Sequence, residues 1–518
     1  MNAALNKLYF EDEPIELAND DPDFTFDESI FDDAATEILQ NGGYTPEMLT
    51  KGACNSLVRE TFKVLGGGAL HGLGKEPDPE MASALRENAF VFSGFKIHNQ
   101  LGEVTNAFKY MPELTDDKGN IRPFHEISKE VDRILADHKI RGINARYNQA
   151  YLRAEYNQAV QSAQMAAKYH DALSRKDYIN LQYRTANDER VRSEHRKLHG
   201  VTLPVDDPFW NDYTPPLGWN CRCTIAEVLK DDYPVSDSTR ATSTAEHITS
   251  APKDKIFRFN PAKTLKVFPD KHPYFKAGGG VEKVVKKAHR IVKMMEESNV
   301  YGNLSENEKI AIAANNVEIE DKLSIQKGKV MKIDDADEQK ANPKYGTDKT
   351  YSINCQVCTG AYLLRRRGFN VEAGSANDYL SKGDHWYEKW KNADGSAPKI
   401  SRMNDWLKQK KYKTMTSKRL LEFLQDECKE NGVYEISVGW VQKVGGGGHV
   451  TIIEKNDDGL WRVEPQKALK DKKMKLTETN MGSLQYIASK LHNCRGVIRI
   501  DNKIFNTDYI ESINKSND

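Results

Sequence analysis

Apolar and small residues recur at steps of three and four between residues 141 and 200, and this period predicts a long helix or a helical hairpin. The positions that carry the stripe are Tyr147, Tyr151, Ala154, Gln158, Ser162, Met165 and Tyr169. No Gly or Pro interrupts the chain from Asn144 to Arg192, and Ala and Arg are strong helix formers. Prolines at 204, 208, 215 and 216 then predict an irregular loop that is rich in aromatic residues.

A different pattern begins near residue 345. Cys358, Ala361 and Leu364 continue a helix from a predicted cap at Asn354, and Gly368 is placed to end it. Three strand-like runs follow, at residues 433–440, 449–454 and 460–463, with the turn Asn456-Asp457-Asp458-Gly459 between the last two. We therefore expect an α+β domain in which a helix packs on an antiparallel sheet.

The length of 518 residues favours about three domains rather than one core. Residues 231–280 are polar, rich in Pro and Lys, and end in Gly278-Gly279-Gly280, as is typical of a linker. We predict a multidomain chain, mainly α in its first part and α+β at its end. The predicted divisions are an N-terminal region at 1–140, a helix-rich domain at 141–230, a linker and helical connector at 231–340, and the last domain at 341–518.

Bulk composition excludes several classes of protein. Lys and Arg number 75 and Asp and Glu number 76, so no global basic field recruits nucleic acid. We expect no signal peptide and no membrane segment, since no apolar run reaches the length of either. The seven cysteines are odd in number and thinly spread, which argues against a disulfide scaffold and for a reducing compartment.

The last domain carries the parts of a thiolate nucleophile. Cys355 directly follows the predicted cap, and the N-terminus of a helix favours the thiolate form of a cysteine. His449 begins a predicted strand, and an imidazole there can pair with the thiolate and protonate a leaving group. Cys358, one turn further on, is the alternative nucleophile. The competing interpretation is structural: two cysteines at a helix start are often core residues, a redox pair or half of a zinc site.

A third group must orient the imidazole. With a loop from Asn456 to Gly459, Gln466 lies directly opposite His449. Glu464 is then its diagonal neighbour on the same face, whereas a tighter turn would place Glu464 directly opposite. The glycines at 445–448 would allow a substrate backbone to approach closely.

Four segments of this domain resemble the papain-fold toxin family of bacterial polymorphic toxins, which is similar to protein glutamine deamidases and cysteine peptidases. The segments are Asn354–Cys358, Arg365–Val371, Gly448-His449 and Val463-Glu464-Pro465-Gln466. The resemblance covers roughly residues 345–475. It implies a papain-like fold with Cys355 as nucleophile, His449 as base and Glu464 as orienting residue. The family usually has Asp where this chain has Glu464, and Gln466 is the polar alternative.

An earlier set of motifs resembles the phage Mu F-type head morphogenesis domain of tailed-phage minor head proteins. The motifs are Asp188–His195, Leu198-His199-Gly200, Asp206–Trp210 and Pro215–Cys223. The resemblance covers roughly residues 140–228. It implies a protein of the virion, inside the capsid or near the portal, that contacts portal and capsid proteins and resides in the host cytoplasm during assembly.

The same motifs contain a candidate metal site at His195, His199, Cys221 and Cys223. A Cys-x-Cys pair holds two thiols close together, and histidines at i and i+4 share one face of a helix. The alternative is that these residues pack the loop against the helix. If these residues bind a metal, we expect it to be a structural zinc ion. We expect no other cofactor.

Together the two resemblances imply a phage or prophage minor head protein that carries a C-terminal thiol-dependent effector. We expect a protein glutamine deamidase acting on a cellular protein, with a small immunity protein as a further partner. The alternative is a structural head protein whose last domain is a cysteine peptidase for capsid maturation or is catalytically inactive.

Overall fold

A computed structural model describes the chain from residue 26 onward, with gaps. The described residues are 26–27, 29–50, 52–108, 118, 122, 127, 129, 133, 149–276, 282–297, 300–337, 340–376, 386–439, 448–466, 473–480 and 495–516. The chain divides into two compact units, an N-terminal unit of residues 1–292 and a C-terminal unit of residues 293–518. No helix among the described residues combines the length and the apolar character needed to cross a membrane.

The N-terminal unit begins with helices packed against one another. They are α1 (Ser29–Gln40), a 3₁₀ turn (Pro46–Thr50), α2 (Gly52–Leu73), α3 (Pro79–Phe108) and α4 (Gln149–Leu173). Helix α2 lies against both α3 and α4. At Gly72 a Cβ atom would collide with the carbonyl oxygen of Val160 on α4, so the absent side chain permits this close approach. The ammonium of Lys96 on α3 and the carboxylate of Glu155 on α4 are fully buried and form an ion pair at 2.7 Å.

The helix predicted across residues 141–200 ends at Leu173, and a strand follows in place of the second helix of the predicted hairpin. Strand β1 (Ile179–Arg184) lies between β2 (Thr202–Pro204) and β3 (Thr224–Leu229) in an antiparallel sheet. Ile179, Leu181 and Tyr183 alternate with polar residues and are buried in the core of this unit. This period of two outweighs the absence of Gly and Pro that favoured helix. The start of the predicted helix, residues 141–148, lies outside the described residues.

The structure also differs from the linker predicted at residues 231–280. Two four-residue helices, α5 (Ser193–Arg196) and α6 (Phe209–Asp212), come before that stretch. The stretch itself contains α7 (Ser238–Ile248) and three short helical turns. The short turns are α8 (Pro252–Lys255), α9 (Pro261–Thr264) and a 3₁₀ turn (Pro273–Lys276). Phe257, Phe268 and Tyr274 are buried, and the ring of Phe268 stacks on that of Phe92 with centroids 3.8 Å apart. Aromatic burial of this kind outweighs the polar composition of the segment. Gly278–Gly280 lie outside the described residues, and the division into four domains stays a prediction.

Five described helices of the C-terminal unit precede its first described strand, and the remaining helices lie between its later strands. Helix α10 (Glu282–Glu297) contains the division point. It is followed by α11 (Glu306–Leu323), α12 (Ile333–Asp337), α13 (Lys349–Ser352), α14 (Cys355–Arg366), α15 (Met403–Gln409), α16 (Ser417–Glu427) and a 3₁₀ helix (Thr507–Ser512).

The main sheet of this unit has six described strands in the order β10-β9-β8-β7-β11-β6, each pair antiparallel. Its strands are β6 (Ser401–Arg402), β7 (Gly432–Gly439), β8 (Gly448–Asn456), β9 (Gly459–Val463), β10 (Lys473–Lys475) and β11 (Gly496–Arg499). Two further antiparallel pairs join β4 (Val371–Ala373) to β13 (Ile513–Lys515), and β5 (Trp390–Lys391) to β12 (Ile504–Phe505). A multidomain chain with an N-terminal helical region and later antiparallel sheets is thereby confirmed.

Helix α14 packs on the face of this sheet and is held there by polar contacts as well as apolar ones. Its Val357, Ala361 and Leu364 share a core with residues of β8. Arg366 Nε and the Tyr362 hydroxyl donate to the buried Glu454 of β8, at 2.8 and 2.5 Å. Since a buried charge is costly without partners, this set of bonds fixes the helix against the strand.

Gly368 ends α14 as predicted, and its replacement gives a sharp test of that turn. Its φ is +106°, and an added Cβ would meet the carbonyl oxygens of Gly328 and Lys329. At Gly395, where φ is +88°, an added Cβ has nothing within 4 Å. Both alanine substitutions carry the strain of positive φ, about 1–2 kcal/mol, but only Gly368→Ala adds a clash with the backbone.

We expect Gly368→Ala to lower the melting temperature of the full-length protein more than Gly395→Ala does. The excess should correspond to at least about 1 kcal/mol. Differential scanning fluorimetry of both variants measures it. Equal shifts would show that the turn after α14 relaxes without cost.

Candidate active site

Cys355 is the first residue of α14 and lies at the surface of the fold. It is half-buried, whereas the other described cysteines are buried. Asn354 precedes it at the cap position, but its side chain does not cap the helix. The Asn354 amide instead donates to the carbonyl oxygen of Gly374 at 2.8 Å. Tertiary contacts have therefore replaced the local capping bond that the sequence predicts.

Cys358 lies one turn along the same helix in a different environment. It is fully buried, and its Sγ donates to Asn354 Oδ1 at 3.2 Å. Burial, and then the nearby Cys355 and Glu464, raise the pKa of the Cys358 thiol well above its ordinary value. A thiol in this environment is a poor nucleophile, so the geometry favours Cys355 of the two predicted candidates.

His449 lies at the start of β8 and contacts both other members of the predicted triad. Its Nε2 is 2.8 Å from Oε2 of Glu464, and the Cys355 side chain lies close enough to the ring to raise the pKa of His449. Burial alone would lower the pKa of His449. The charges and hydrogen bonds of Glu464 and Cys355 outweigh burial and raise that pKa from 6.5 to about 10, so the ring is held as imidazolium at neutral pH.

Glu464 follows β9 directly and is 1% exposed. Besides His449, its carboxylate accepts hydrogen bonds from Arg462 Nη2 at 2.9 Å and from the Gln466 backbone N–H at 3.2 Å. Burial by itself raises the pKa of Glu464, but the charge of His449 and then that of Arg462 reverse the effect and lower it. A carboxylate that is ionised and held by three donors can fix the orientation of the imidazole.

The hairpin register explains how His449 and Glu464 meet. Lys455 pairs with Leu460 and Asn456 with Gly459, so Glu464 is the diagonal neighbour of His449, as predicted for the loop from Asn456 to Gly459. The side chain of Gln466 turns away and donates to the carbonyl oxygen of Ser352 at 3.1 Å. Gly445–Gly447, predicted to admit substrate, lie outside the described residues.

Two residues of this site were missed by the sequence reasoning. Arg462 stands two positions before Glu464, on the same face of the strand, so the period of two could have indicated it. Asn342 had no local signal. Its Nδ2 donates to the carbonyl oxygens of Gln466 and Tyr351, at 2.8 and 3.0 Å, and so ties the segment after β9 to the approach to α14.

In the N-terminal unit, three of the four predicted metal ligands come together. His195 Nδ1 lies 3.6 Å from Cys221 Sγ and 3.7 Å from Cys223 Sγ, and all three residues are buried. His199 is not among them. Its Nδ1 contacts the backbone N–H and hydroxyl of Thr185, at 3.2 and 2.9 Å, because the helix that carries His195 ends at Arg196 and a shared helix face does not exist.

Comparison with known proteins identifies relatives of the N-terminal unit. Residues 123–226 match the family described as Phage Mu protein F like protein. A putative capsid assembly protein F of Escherichia phage Mu is 39% identical over 71 residues, 14% of this chain and 16% of that protein. A Mu-like prophage FluMu F protein of Haemophilus influenzae is 37% identical over 65 residues, 12% of this chain and 16% of that protein.

The similarity also reaches an uncharacterized protein of Methanocaldococcus jannaschii, 53% identical over 47 residues, 9% of this chain and 7% of that protein. The chain thus spans about a sixth of the length of the curated phage relatives that it matches. No solved structure matches the chain significantly. The chain contains a segment similar to phage Mu protein F, as its motifs predict.

Proposed function

We propose that the C-terminal unit is a thiol-dependent hydrolase of papain-like fold, with Cys355 as nucleophile, His449 as general acid–base and Glu464 as orienting residue. One observation carries this proposal: a half-exposed thiol at a helix start lies beside an imidazole that a buried carboxylate holds at 2.8 Å. Nucleophile, base and orienting group in hydrogen-bond contact are the general signature of nucleophilic catalysis.

The preferred reaction is hydrolysis of a side-chain carboxamide. The Cys355 thiolate attacks the carbonyl carbon and forms a C–S bond. The oxyanion formed there is stabilised by backbone N–H groups of the helix N-terminus. As the C–N bond breaks, the imidazolium of His449 gives its proton to the departing nitrogen, which leaves as ammonia. His449 then takes a proton from water, which attacks the thioester, and a free carboxylate and the thiolate are restored.

The substrate we propose is a glutamine of a cellular protein, so that the product is glutamate. The support is the resemblance of the segments around Cys355, His449 and Glu464 to the papain-fold toxin family. Cleavage of a peptide bond uses the same steps with an amine as leaving group, and a small immunity protein that covers the site is the partner expected of a toxin.

For the whole chain we propose a minor head protein of a phage or prophage that carries this hydrolase in the virion. The support is the match of residues 123–226 to the Mu F-like family and to proteins named for capsid assembly. The proposed partners are portal and capsid proteins. Carriage in the particle offers a route out of the producing cell that does not depend on a secretion signal.

The test is to express the full-length protein and its Cys355→Ser variant in bacteria and compare the two proteomes by mass spectrometry. We expect glutamine-to-glutamate conversion at defined sites with the wild-type protein, and loss of this conversion with the variant. A Cys428→Ser variant, in which a buried cysteine remote from the triad is changed, serves as the matched control and should behave as wild type.

New protein termini in place of deamidated glutamines would identify a peptidase and overturn the proposed reaction while keeping the triad. Identical proteomes and identical cell growth for the wild-type protein and Cys355→Ser would overturn the enzyme proposal. The head-protein proposal is tested separately, by whether antibody against the chain labels purified phage particles.

A further inference from the structure

The cluster of His195, Cys221 and Cys223 in the N-terminal unit takes no part in the proposed chemistry. The three ligand atoms lie within 4.8 Å of one another. His195 is 5% exposed, Cys221 3% and Cys223 2%. One ligand comes from α5 and two from the loop that leads into β3, so the chain converges here from separate segments.

The spacing of the donors fits a tetrahedral metal ion. Zinc is bound at about 2.3 Å by sulfur and about 2.0–2.1 Å by nitrogen. In a regular tetrahedron these bond lengths place nitrogen and sulfur about 3.6 Å apart. The two distances from His195 Nδ1, 3.6 and 3.7 Å, match this edge. A single hydrogen bond to sulfur accounts for one such contact, whereas a metal ion bound by all three residues accounts for both contacts at once.

We propose that His195, Cys221 and Cys223 bind one zinc ion that has a structural role in the Mu F-like segment. Two thiolates and an imidazole are the donors that zinc prefers, and softer donors of this kind exclude magnesium and calcium. Two thiolates also neutralise the charge of a divalent ion, which makes its burial feasible.

Tyr183 lies close to the two thiols. Its hydroxyl is buried and has no hydrogen-bond partner of ordinary geometry among the described residues. Both thiols act on it, since burial and then Cys221 and Cys223 raise the pKa of Tyr183. A tetrahedral zinc needs a fourth ligand, and this unpartnered hydroxyl is a polar group that could supply it or hold a water molecule there.

The surroundings suit a structural site. Arg222, between the two cysteines, donates to both carboxylate oxygens of Asp188 at 2.6 Å each, and this bidentate contact restrains the backbone between the two thiols. Helix α5 has only four residues and an isolated helix of that length is unstable. A bound ion would fasten it to β3, with binding energy contributing directly to folding.

The test is the zinc content of the full-length protein, purified without an affinity tag, incubated with zinc and dialysed. We expect about one zinc per chain in the wild type and a loss of nearly all of it in Cys221→Ser/Cys223→Ser and in His195→Ala. His199→Ala and Cys355→Ser are matched controls, and both should keep the metal. His199→Ala removes the predicted ligand that the structure places away from the cluster. Cys355→Ser removes a thiol of the C-terminal unit that has no part in the proposed zinc site.

Cobalt substitution keeps the proposal testable if the cysteine variants fail to fold. Wild-type protein loaded with Co²⁺ should show thiolate charge-transfer absorption and the intense visible bands of a tetrahedral site. A wild type that retains less than about a tenth of an ion per chain, or that gives no such bands, overturns the proposal. So does metal that disappears in Cys355→Ser and persists in Cys221→Ser/Cys223→Ser, or a disulfide between Cys221 and Cys223 in the wild type.

Discussion

Replacement of Cys355 by alanine is expected to abolish the proposed hydrolase activity, with a fall in turnover of about 10³-fold or more. Without the sulfur there is no group to form the thioester, and His449 and Glu464 cannot substitute for it. Cys358→Ala should retain activity, because the Cys358 thiol is buried and bonded to Asn354 rather than to the imidazole. The same glutamine-conversion assay in cells measures both variants.

The thiol can also be tested without a substrate. Among the described cysteines Cys355 is the one that is not buried, and the His449 ring lies beside it. We therefore expect iodoacetamide at neutral pH to label Cys355 before the other described cysteines, and His449→Ala to slow that labelling by about tenfold or more. Faster labelling of Cys358 than of Cys355 would contradict the assignment of the nucleophile.

Replacement of Glu464 by glutamine is expected to lower activity by about 10³–10⁴-fold while Cys355 and His449 remain in place. Glu464 first, and then Cys355, raise the pKa of His449 to about 10 against a burial that lowers it. In Glu464→Gln the larger of these two contributions is lost, so the pKa of His449 falls and the ring is less able to hold the proton that the leaving group needs. Titration of the His449 ring by NMR measures the change directly.

Glu464→Gln should also destabilise the C-terminal unit, by about 3–5 kcal/mol, since Arg462 and His449 lose a buried partner. The folded-state pKa of His449 is raised, so its contribution to stability is fully present below about 6.5 and is lost as the pH rises through about 10. The folded-state pKa of Glu464 is lowered from 4.5, so its contribution is present above 4.5 and is lost on acidification.

The difference in melting temperature between the wild type and Glu464→Gln should therefore be greatest between about pH 5 and 7 and shrink towards both acid and alkaline pH. Glu464→Asp is the matched control, because it keeps the charge and is the residue usual in the resembling family. We expect it to retain most of the stability and part of the activity. A difference that is independent of pH would show that Glu464 acts by packing rather than by charge.

Local features of the C-terminal unit could be predicted because adjacent residues determine them. The turn at Asn456–Gly459 sets the register of β8 against β9, and this register alone makes Glu464 the diagonal neighbour of His449. Gly368 ends α14 because the backbone there requires positive φ. Neighbouring residues could not decide whether Glu464 or Gln466 orients the imidazole. That choice depends on Ser352, which is distant in sequence and whose carbonyl oxygen accepts a hydrogen bond from the Gln466 side chain.

Misassigned features share a physical cause, which is competition from distant parts of the chain. Asn354 was predicted to cap α14, but Gly374 and Asn342 take its side-chain bonds. Residues 179–184 lack helix breakers, yet pairing with β2 and β3 makes them a strand. The polar segment after residue 231 folds because its few aromatic residues find a core, and composition does not reveal that.

The sequence by itself determined the residue types, their order and the short-range geometry: a cysteine at a helix start, a histidine at a strand start and a carboxylate one hairpin away. The tertiary structure alone decided which of them meet. It buried Cys358 and left Cys355 half-exposed, and it separated His199 from His195 by ending α5 after four residues. The reason is that hydrogen-bond spacing along a helix or hairpin is set by neighbours in sequence, whereas burial and long-range pairing depend on the packing of the whole unit.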